Sequence, residues 1–177
     1  MGQFFRKGGV QIGELNALAR EEFLARLEGI WEHSPWIVEA VVDQRPFASR
    51  QALLAAMWRV VTCADEARQL ALLRAHPDLA GKLARAGELS AESSAEQSGA
   101  GLDRLSPAEF DEFSALNSAY TARFGFPFII CVRNHTKASI LEEFRGRLEN
   151  DRKAELSRAL EEVRQIAALR LADRVRE

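Results

Sequence analysis

The chain is poor in the residues that build metal sites and disulfide frameworks. Its 177 residues include two cysteines, Cys63 and Cys131, and three histidines, and no CxxC motif is present. Each cysteine lies in an apolar run, RVVTCA or FIICVR, where a free thiol behaves as a small buried hydrophobic group. We therefore expect neither a disulfide framework nor a metal site.

The chain also lacks a strong net charge and an apolar leader. A net charge of −2 provides no global attraction to nucleic acid. The N-terminal stretch MGQFFRKGGVQIGELN contains no continuous apolar segment of the kind found in signal peptides. Hydrophobic residues at 47% and charged residues at 28% are typical of a soluble globular protein. We expect a cytoplasmic protein that binds neither nucleic acid nor a membrane.

Apolar residues recur at helical spacing through most of the chain. This pattern predicts an all-α fold, a single-domain bundle of about seven to nine helices over residues 1–177, in which 1–12 can be disordered. The first helix is expected to run from Leu15 to about Gly29, before a break at Pro35. Further helices are predicted over 49–62 from Ser49, over 65–75 from Asp65, from Ser106 in the capping box SPAE, from Thr136 to about Asn150, and from Asp151 to the C-terminus.

Two segments depart from that pattern. Residues 81–103, GKLARAGELSAESSAEQSGAGLD, form either a linker or, as we favour, a short helix capped by Ser90 and running toward Gly99. FPFIICV, at 126–132, is rich in β-branched and aromatic residues and predicts one short buried extended segment. No second strand is evident to pair with it, so its backbone groups need other partners, and a ligand can be one of them.

Polar residues in two places allow both a structural and a functional interpretation. His76 stands directly before Pro77, where a helix is expected to end. A histidine at such a junction is more often a surface or capping residue than a catalyst, although imidazole titrates near neutrality and the proline would hold it rigidly. Ser93, Glu96 and Gln97 share one helix face, which is typical of a solvated surface as well as of a binding site.

Arg170 is directed toward the apolar side of the last predicted helix. At about 100° per residue, it lies about 20° from the apolar sector formed by Leu156, Leu160, Val163, Ala167 and Leu171. Either its stem covers apolar surface while the guanidinium reaches water, or the guanidinium lies at a cavity wall. There it could bind a carboxylate or a planar amide-like ligand through paired hydrogen bonds.

Several motifs, taken together, resemble one family. They are HPDLAGKLA (76–84), SxxEQxGAGL (93–102), LNxxYxxRFGFPFIICV (116–132) and HTKxSIL (135–141). They resemble the 2-oxo-4-hydroxy-4-carboxy-5-ureidoimidazoline (OHCU) decarboxylases, which act in the last step from urate to (S)-allantoin. LNxLxxxEFxxxLxxIxEHSPW, at 15–36, also fits, so the resemblance covers nearly the whole chain.

The resemblance implies an all-α carboxy-lyase without metal or organic cofactor, a homodimer with an internal pocket for OHCU. By position, His76 matches the catalytic histidine of the family, and we expect Glu96 to assist it in proton transfer. The residues expected to contact the substrate are Pro77, Ser93, Gln97, Phe128, Ile129, Ile130, Cys131, Val132 and Arg170. The match of Arg170 rests on helix register rather than on a dense motif.

Two other functions compete with this one on the sequence alone. A related cofactor-free lyase or hydrolase would act on another ureide in the same pocket. A non-catalytic helical binding module would use the apolar sectors as partner grooves, and His76 would then be only a junction residue.

Overall fold

The computed structural model describes residues 9–80 and 89–177 of the chain. Within these ranges there are nine α-helices, two 3-10 turns and two short strands. The helices are α1 Ile12–Ala17, α2 Arg20–Arg26, α3 Trp36–Glu39, α4 Arg50–Cys63, α5 Glu66–Arg74, α6 Ala91–Gly99, α7 Pro107–Phe124, α8 Lys137–Arg147 and α9 Arg152–Arg174. The strands are β1 Val10–Gln11 and β2 Val175–Arg176, and the 3-10 turns are Val42–Gln44 and Val132–Asn134. The all-α prediction is therefore confirmed for the described part of the chain.

The chain folds into two compact units. The first unit comprises Met1–Ala64 and Ala167–Glu177, and the second comprises Asp65–Ile166. Of residues 1–12, for which disorder was predicted, 10–12 belong to β1 and to the start of α1, and 1–8 lie outside the described residues. Residues 81–88 of the GKLARAGE segment also lie outside them.

In the first unit, the long helix predicted from Leu15 to Gly29 is interrupted. α1 ends at Ala17 and α2 begins only at Arg20, because Leu18 takes an extended conformation with a ψ of 151°. The Leu18 carbonyl, which a continuous helix would use internally, accepts a hydrogen bond of 2.6 Å from the Arg45 side chain. The prediction of one continuous helix is therefore wrong, because a side chain distant in sequence takes over its hydrogen bond.

The first unit is closed by a two-stranded parallel sheet that joins the two ends of the described chain. Val10 pairs with Val175 and Gln11 with Arg176, and the Val175 carbonyl accepts a hydrogen bond of 3.0 Å from the Arg50 side chain. The last helix was expected to reach the C-terminus. That expectation is wrong, because β1 and Arg50 supply the partners that let the chain leave the helix after Arg174.

Helix starts in both units follow the capping residues read from the sequence. The side chains of Ser49, Asp65, Ser90, Ser106 and Thr136 each accept a hydrogen bond from the backbone N–H three residues further along. Each bond satisfies one of the N–H groups that have no partner inside the helix. In the second unit this fixes α5, α6, α7 and α8 at the predicted positions.

The core of the second unit is aromatic. The Tyr120 ring of α7 packs edge-on against Phe128 and Phe144, at centroid distances of 5.2 and 5.8 Å. Phe128 stacks on Phe144 of α8 with centroids 3.7 Å apart. Phe128 lies in the extended segment predicted over 126–132, of which residues 127–131 are in neither a helix nor a strand. The aromatic stack therefore anchors this segment in the interior without a partner strand.

Candidate functional site

His76 lies two residues after Arg74, the last residue of α5, and its side chain is fixed by the last turn of that helix. Its backbone N–H donates to the Leu73 carbonyl at 3.1 Å, and its Nδ1 lies 2.9 Å from the Leu72 carbonyl oxygen. Because a carbonyl can only accept, Nδ1 carries the hydrogen, and the basic nitrogen of the neutral ring is Nε2. Only 8% of the residue is exposed, so the imidazole is buried rather than a surface junction residue.

The residues after His76 form a turn that α6 and α7 hold in place. Leu79 and Ala80 are buried, and Ala80 has a φ of 51°, in the left-handed region that non-glycine residues seldom adopt. The Ala80 N–H donates to Oε1 of Gln97 at 2.9 Å. Nδ2 of Asn117 donates to the Leu79 carbonyl at 2.8 Å. The backbone of the HPDLA motif is thus held by Gln97 of the second motif and by Asn117 of the third.

α6 presents the three polar residues of the second motif differently. Ser93 and Gln97 are buried, with 5% and 6% exposed, whereas Glu96 is half-buried. The negative charge of Glu96 contributes to the raised pKa of the Cys131 thiol, which puts the carboxylate near the extended segment. α6 also packs against the turn Val132–Asn134. The second unit therefore brings together the first, second and third motifs.

A cavity of about 580 Å³ adjoins α6 and the start of α7. Among the described residues, its lining includes Ala80, Gln97 and Phe110 and the carboxylates of Asp103 and Asp111. Gln97 thus lines a cavity while it holds the Ala80 N–H.

The part of the extended segment that is expected to contact the substrate, Phe128 to Val132, is buried throughout. Two of its backbone groups bind side chains. The Cys131 N–H donates to Oε2 of Glu162 at 2.8 Å, and the Ile129 carbonyl accepts from Nη1 of Arg147 at 2.7 Å. The expected partners of this unpaired segment therefore include a buried carboxylate and a buried guanidinium. Substrate binding by the segment stays a prediction for its other backbone groups.

The burial of Cys131 has a consequence for its reactivity. Burial, reinforced by the Glu162 and Glu96 carboxylates, raises the pKa of the Cys131 thiol to about 11. The thiolate is the nucleophile, and Cys63 is exposed. We expect one fast thiol in the native protein at pH 8 and a second only after denaturation, measured with 5,5′-dithiobis(2-nitrobenzoate). Cys63→Ser should remove the fast phase, and rapid labelling of folded Cys63→Ser protein would contradict the assignment.

Arg170 belongs to the first unit and is buried there, with 4% exposed. Its Nη1 donates to Oε2 of Glu32 at 2.7 Å and to the Gly29 carbonyl at 2.9 Å. Of the two interpretations of its position on α9, the snorkelling one is wrong, because the side chain pairs with a buried carboxylate instead of reaching water. A role of Arg170 in binding the substrate stays a prediction.

The buried charges that support the site were not predicted from the sequence. On α9, Glu155 and Glu162 are 0% and 1% exposed. Glu155 accepts hydrogen bonds from Nε and Nη2 of Arg147, at 2.9 and 2.6 Å, and from the Tyr120 hydroxyl. On the helical wheel both glutamates lie about 80 to 100° from Val163, on the side away from Leu171 and outside the predicted apolar sector. The wheel therefore gave no signal for their burial, and Glu32 had none either.

The described ranges contain no cluster of side chains suited to a metal ion. Across residues 9–80 and 89–177, no three His, Cys, Asp or Glu side chains are grouped in a way that could hold a metal ion. None of the helices described there combines the length and apolarity needed to cross a membrane.

Comparison with known proteins gives concordant matches. The family model described as OHCU decarboxylase matches residues 16–172. The 2-oxo-4-hydroxy-4-carboxy-5-ureidoimidazoline decarboxylase of Halalkalicoccus jeotgali is 40% identical over 162 residues, which cover 92% of this chain and 90% of that protein. The crystal structure of an (S)-allantoin synthase has a TM-score of 0.76 at 33% identity, covering 94% of this chain but about half, 54%, of that one. An OHCU decarboxylase crystallised in the presence of (S)-allantoin has a TM-score of 0.66 at 25% identity, covering 81% and 92%.

Proposed function

Because the chain belongs to the OHCU decarboxylase family, we propose that it is a carboxy-lyase that converts OHCU to (S)-allantoin in urate degradation. The matched relative from Halalkalicoccus jeotgali carries the name of this activity and is covered over 90% of its length. The observation that carries the proposal to this chain is the buried imidazole of His76, held by the Leu72 carbonyl inside the unit where three family motifs meet.

The chemistry of OHCU explains why such a site suffices. The carbon that loses carbon dioxide also bears a hydroxyl group and neighbours a ring C=N bond. When the C–C bond to the carboxylate breaks, its electron pair forms a ring C=C bond and the imine electrons move to nitrogen, which takes a proton. The hydroxyl proton then leaves, a carbonyl forms, and the carbon bearing the ureido group gains one proton. The net change is uptake of one proton and release of carbon dioxide.

The substrate is therefore its own electron sink, and the proposal includes no metal or organic cofactor. What the protein supplies is orientation, donors where negative charge develops, and a proton delivered to one face of the new stereocentre. In the proposal His76, assisted by Glu96, moves the proton. A neutral imidazole with Nδ1–H fixed by a carbonyl has one defined basic nitrogen, which suits that role.

The remaining predicted residues form the substrate-binding part of the proposal. Pro77 shapes the wall beside His76, and Ser93 and Gln97 contact the ligand from α6. The backbone from Phe128 to Val132 and the Arg170 guanidinium bind the ureido and ring carbonyl groups. The support for these roles is the position of Pro77, Ser93, Gln97 and Phe128 to Val132 in the family motifs and the helix register of Arg170. The burial of Ser93, Gln97, Arg170 and the segment from Phe128 to Val132 adds to it.

Three further parts complete the proposal. They are a homodimer, which the family resemblance implies, and a cytoplasmic location and a single domain made of both compact units, which are expected from the sequence. The family model, which spans 16–172 and hence parts of both units, supports the last of these.

Direct assay of the wild-type protein tests the proposed function. OHCU is generated enzymatically from urate in the cuvette, and circular dichroism follows the product from the first seconds, since spontaneous decay gives racemic allantoin. We expect the (S)-allantoin signal to rise in proportion to added protein, while OHCU absorbance falls faster than without it. Racemic product formed at the uncatalysed rate would overturn the proposal.

A further inference from the structure

The peptide bond between Leu79 and Ala80 is held at both of its polar groups. Nδ2 of Asn117 donates to the carbonyl at 2.8 Å, and the N–H donates to Oε1 of Gln97 at 2.9 Å. Both groups belong to one planar unit, in which the C=O and N–H of a trans peptide point in opposite directions. Gln97 of α6 and Asn117 of α7 therefore grip one peptide plane from two sides and form an amide clamp.

The clamp holds a backbone conformation that the chain would otherwise avoid. Ala80 has a φ of 51°, which crowds the Cβ of an L-residue against the backbone and persists only where the surroundings enforce it. Rotation of the Leu79–Ala80 peptide plane out of this conformation would break both hydrogen bonds together. Such strained residues cluster at functional sites, and this one lies four residues after His76.

Asn117 carries an energetic penalty, because only one end of its buried amide is hydrogen-bonded. The atom that faces the Leu79 carbonyl must be Nδ2, because a carbonyl can only accept. This leaves Oδ1 buried without a hydrogen-bond partner, and 6% of the residue is exposed. A buried acceptor without a partner loses the hydrogen bond that water would give it. The donor function toward Leu79 therefore outweighs that penalty in this protein.

We infer that Asn117 and Gln97 are positioning residues that fix the His76 imidazole by clamping the Leu79–Ala80 peptide, an inference that rests on the proposed function. α5 fixes His76 from the N-terminal side, through the Leu73 and Leu72 carbonyls. The clamp fixes the chain that leaves it, and Pro77 restricts the backbone between the two. In the clamp Gln97 acts through Oε1, which accepts the hydrogen bond from the Ala80 N–H. This leaves its Nε2 available to contact a ligand.

The test compares Asn117→Ala with the wild type in the coupled assay. We expect kcat to fall about 10- to 100-fold, since small displacements of a reacting group cost this much. KM should stay within about twofold, because the substrate contacts remain. Asn16→Ala is the matched control: Asn16 lies in the first unit, and its amide donates to the Phe47 carbonyl at 2.8 Å and accepts from the Phe47 N–H at 2.9 Å. Asn16→Ala removes two side-chain-to-backbone hydrogen bonds, one more than Asn117→Ala removes, and should lower Tm without lowering kcat.

Ala80→Gly separates positioning from folding. Glycine takes a positive φ without strain, so adding Ala80→Gly to Asn117→Ala should recover Tm but not kcat. The double variant also carries the test if Asn117→Ala does not fold. Normal kcat in either folded variant, or full recovery of kcat with Ala80→Gly, would overturn the inference.

A measurement without substrate distinguishes this failure from failure of the proposed function. The Cε1–H resonance of His76, assigned with His76→Asn, should shift or broaden in Asn117→Ala while those of His33 and His135 stay in place. An inactive wild type would refute the function alone, whereas an unmoved His76 resonance would refute the clamp alone.

Discussion

Replacing His76 with asparagine is expected to lower kcat about 100-fold or more while the protein stays folded. Asparagine can place a side-chain N–H close to where Nδ1 of His76 meets the Leu72 carbonyl at 2.9 Å. The buried polar contact is thereby kept, whereas the titratable nitrogen is lost. The loss of rate therefore reports proton transfer rather than an unsatisfied carbonyl.

The experiment follows (S)-allantoin by circular dichroism and the fold by thermal denaturation. His33→Asn is the matched control, because His33 is exposed and its φ of 43° suits asparagine, which tolerates the left-handed region. The control should retain wild-type kcat. If folded His76→Asn protein produced (S)-allantoin at close to the wild-type rate, His76 would not be the proton-transfer residue.

Replacing Glu155 with glutamine is expected to lower the free energy of unfolding by about 3 to 5 kcal/mol, the cost of leaving a buried charge without its partner. The Glu155 and Arg147 side chains are 0% and 5% exposed. Arg147 would keep its bond to the Ile129 carbonyl and its position over the Phe128 ring, but its charge would be uncompensated. Chemical denaturation followed by far-ultraviolet circular dichroism measures the loss.

Two further variants make that measurement specific. Arg145→Met, also on α8, removes an ion pair with Glu112 in which the side chains are 59% and 38% exposed, so it should cost less than about 1 kcal/mol. Arg147→Met combined with Glu155→Gln should cost less than the sum of the single changes, because neither charge is then buried alone. A Glu155→Gln variant as stable as Arg145→Met would show that the pair does not hold the aromatic core.

Features that depend on neighbouring residues were readable from the sequence. The start of α7 could be read from Ser106, Pro107 and Glu109, because all the residues of a capping box lie within four positions of the sequence. Part of the buried face of α9 was likewise visible from its helical period, since Leu160, Val163, Ala167 and Leu171 of the predicted sector are buried. The extended segment followed from its composition, and its lack of a partner strand correctly predicted that other groups would satisfy its backbone.

Features that depend on distant residues were not readable. Arg45 interrupts the first predicted helix by binding Leu18, and Arg170 is paired with Glu32, 138 residues away. β1 and β2 are two residues each, too short for an alternating pattern to emerge. For the site, the family resemblance predicted the roles of His76 and Gln97. The hydrogen bonds of Gln97 and Asn117 to one peptide could not be predicted, because they depend on how distant parts of the chain pack.

The parallel pairing of β1 with β2 also constrains the order in which the protein can form during synthesis. The second unit is one continuous stretch, Asp65–Ile166, and all of its contacts are available once that stretch has left the ribosome. The first unit is discontinuous. Val10 can pair with Val175 only after almost the whole chain has been synthesised. Since pairing of such distant residues closes a large loop and is slow, the unit that carries His76 is expected to be structured first. The unit that contains Arg170 is then completed last.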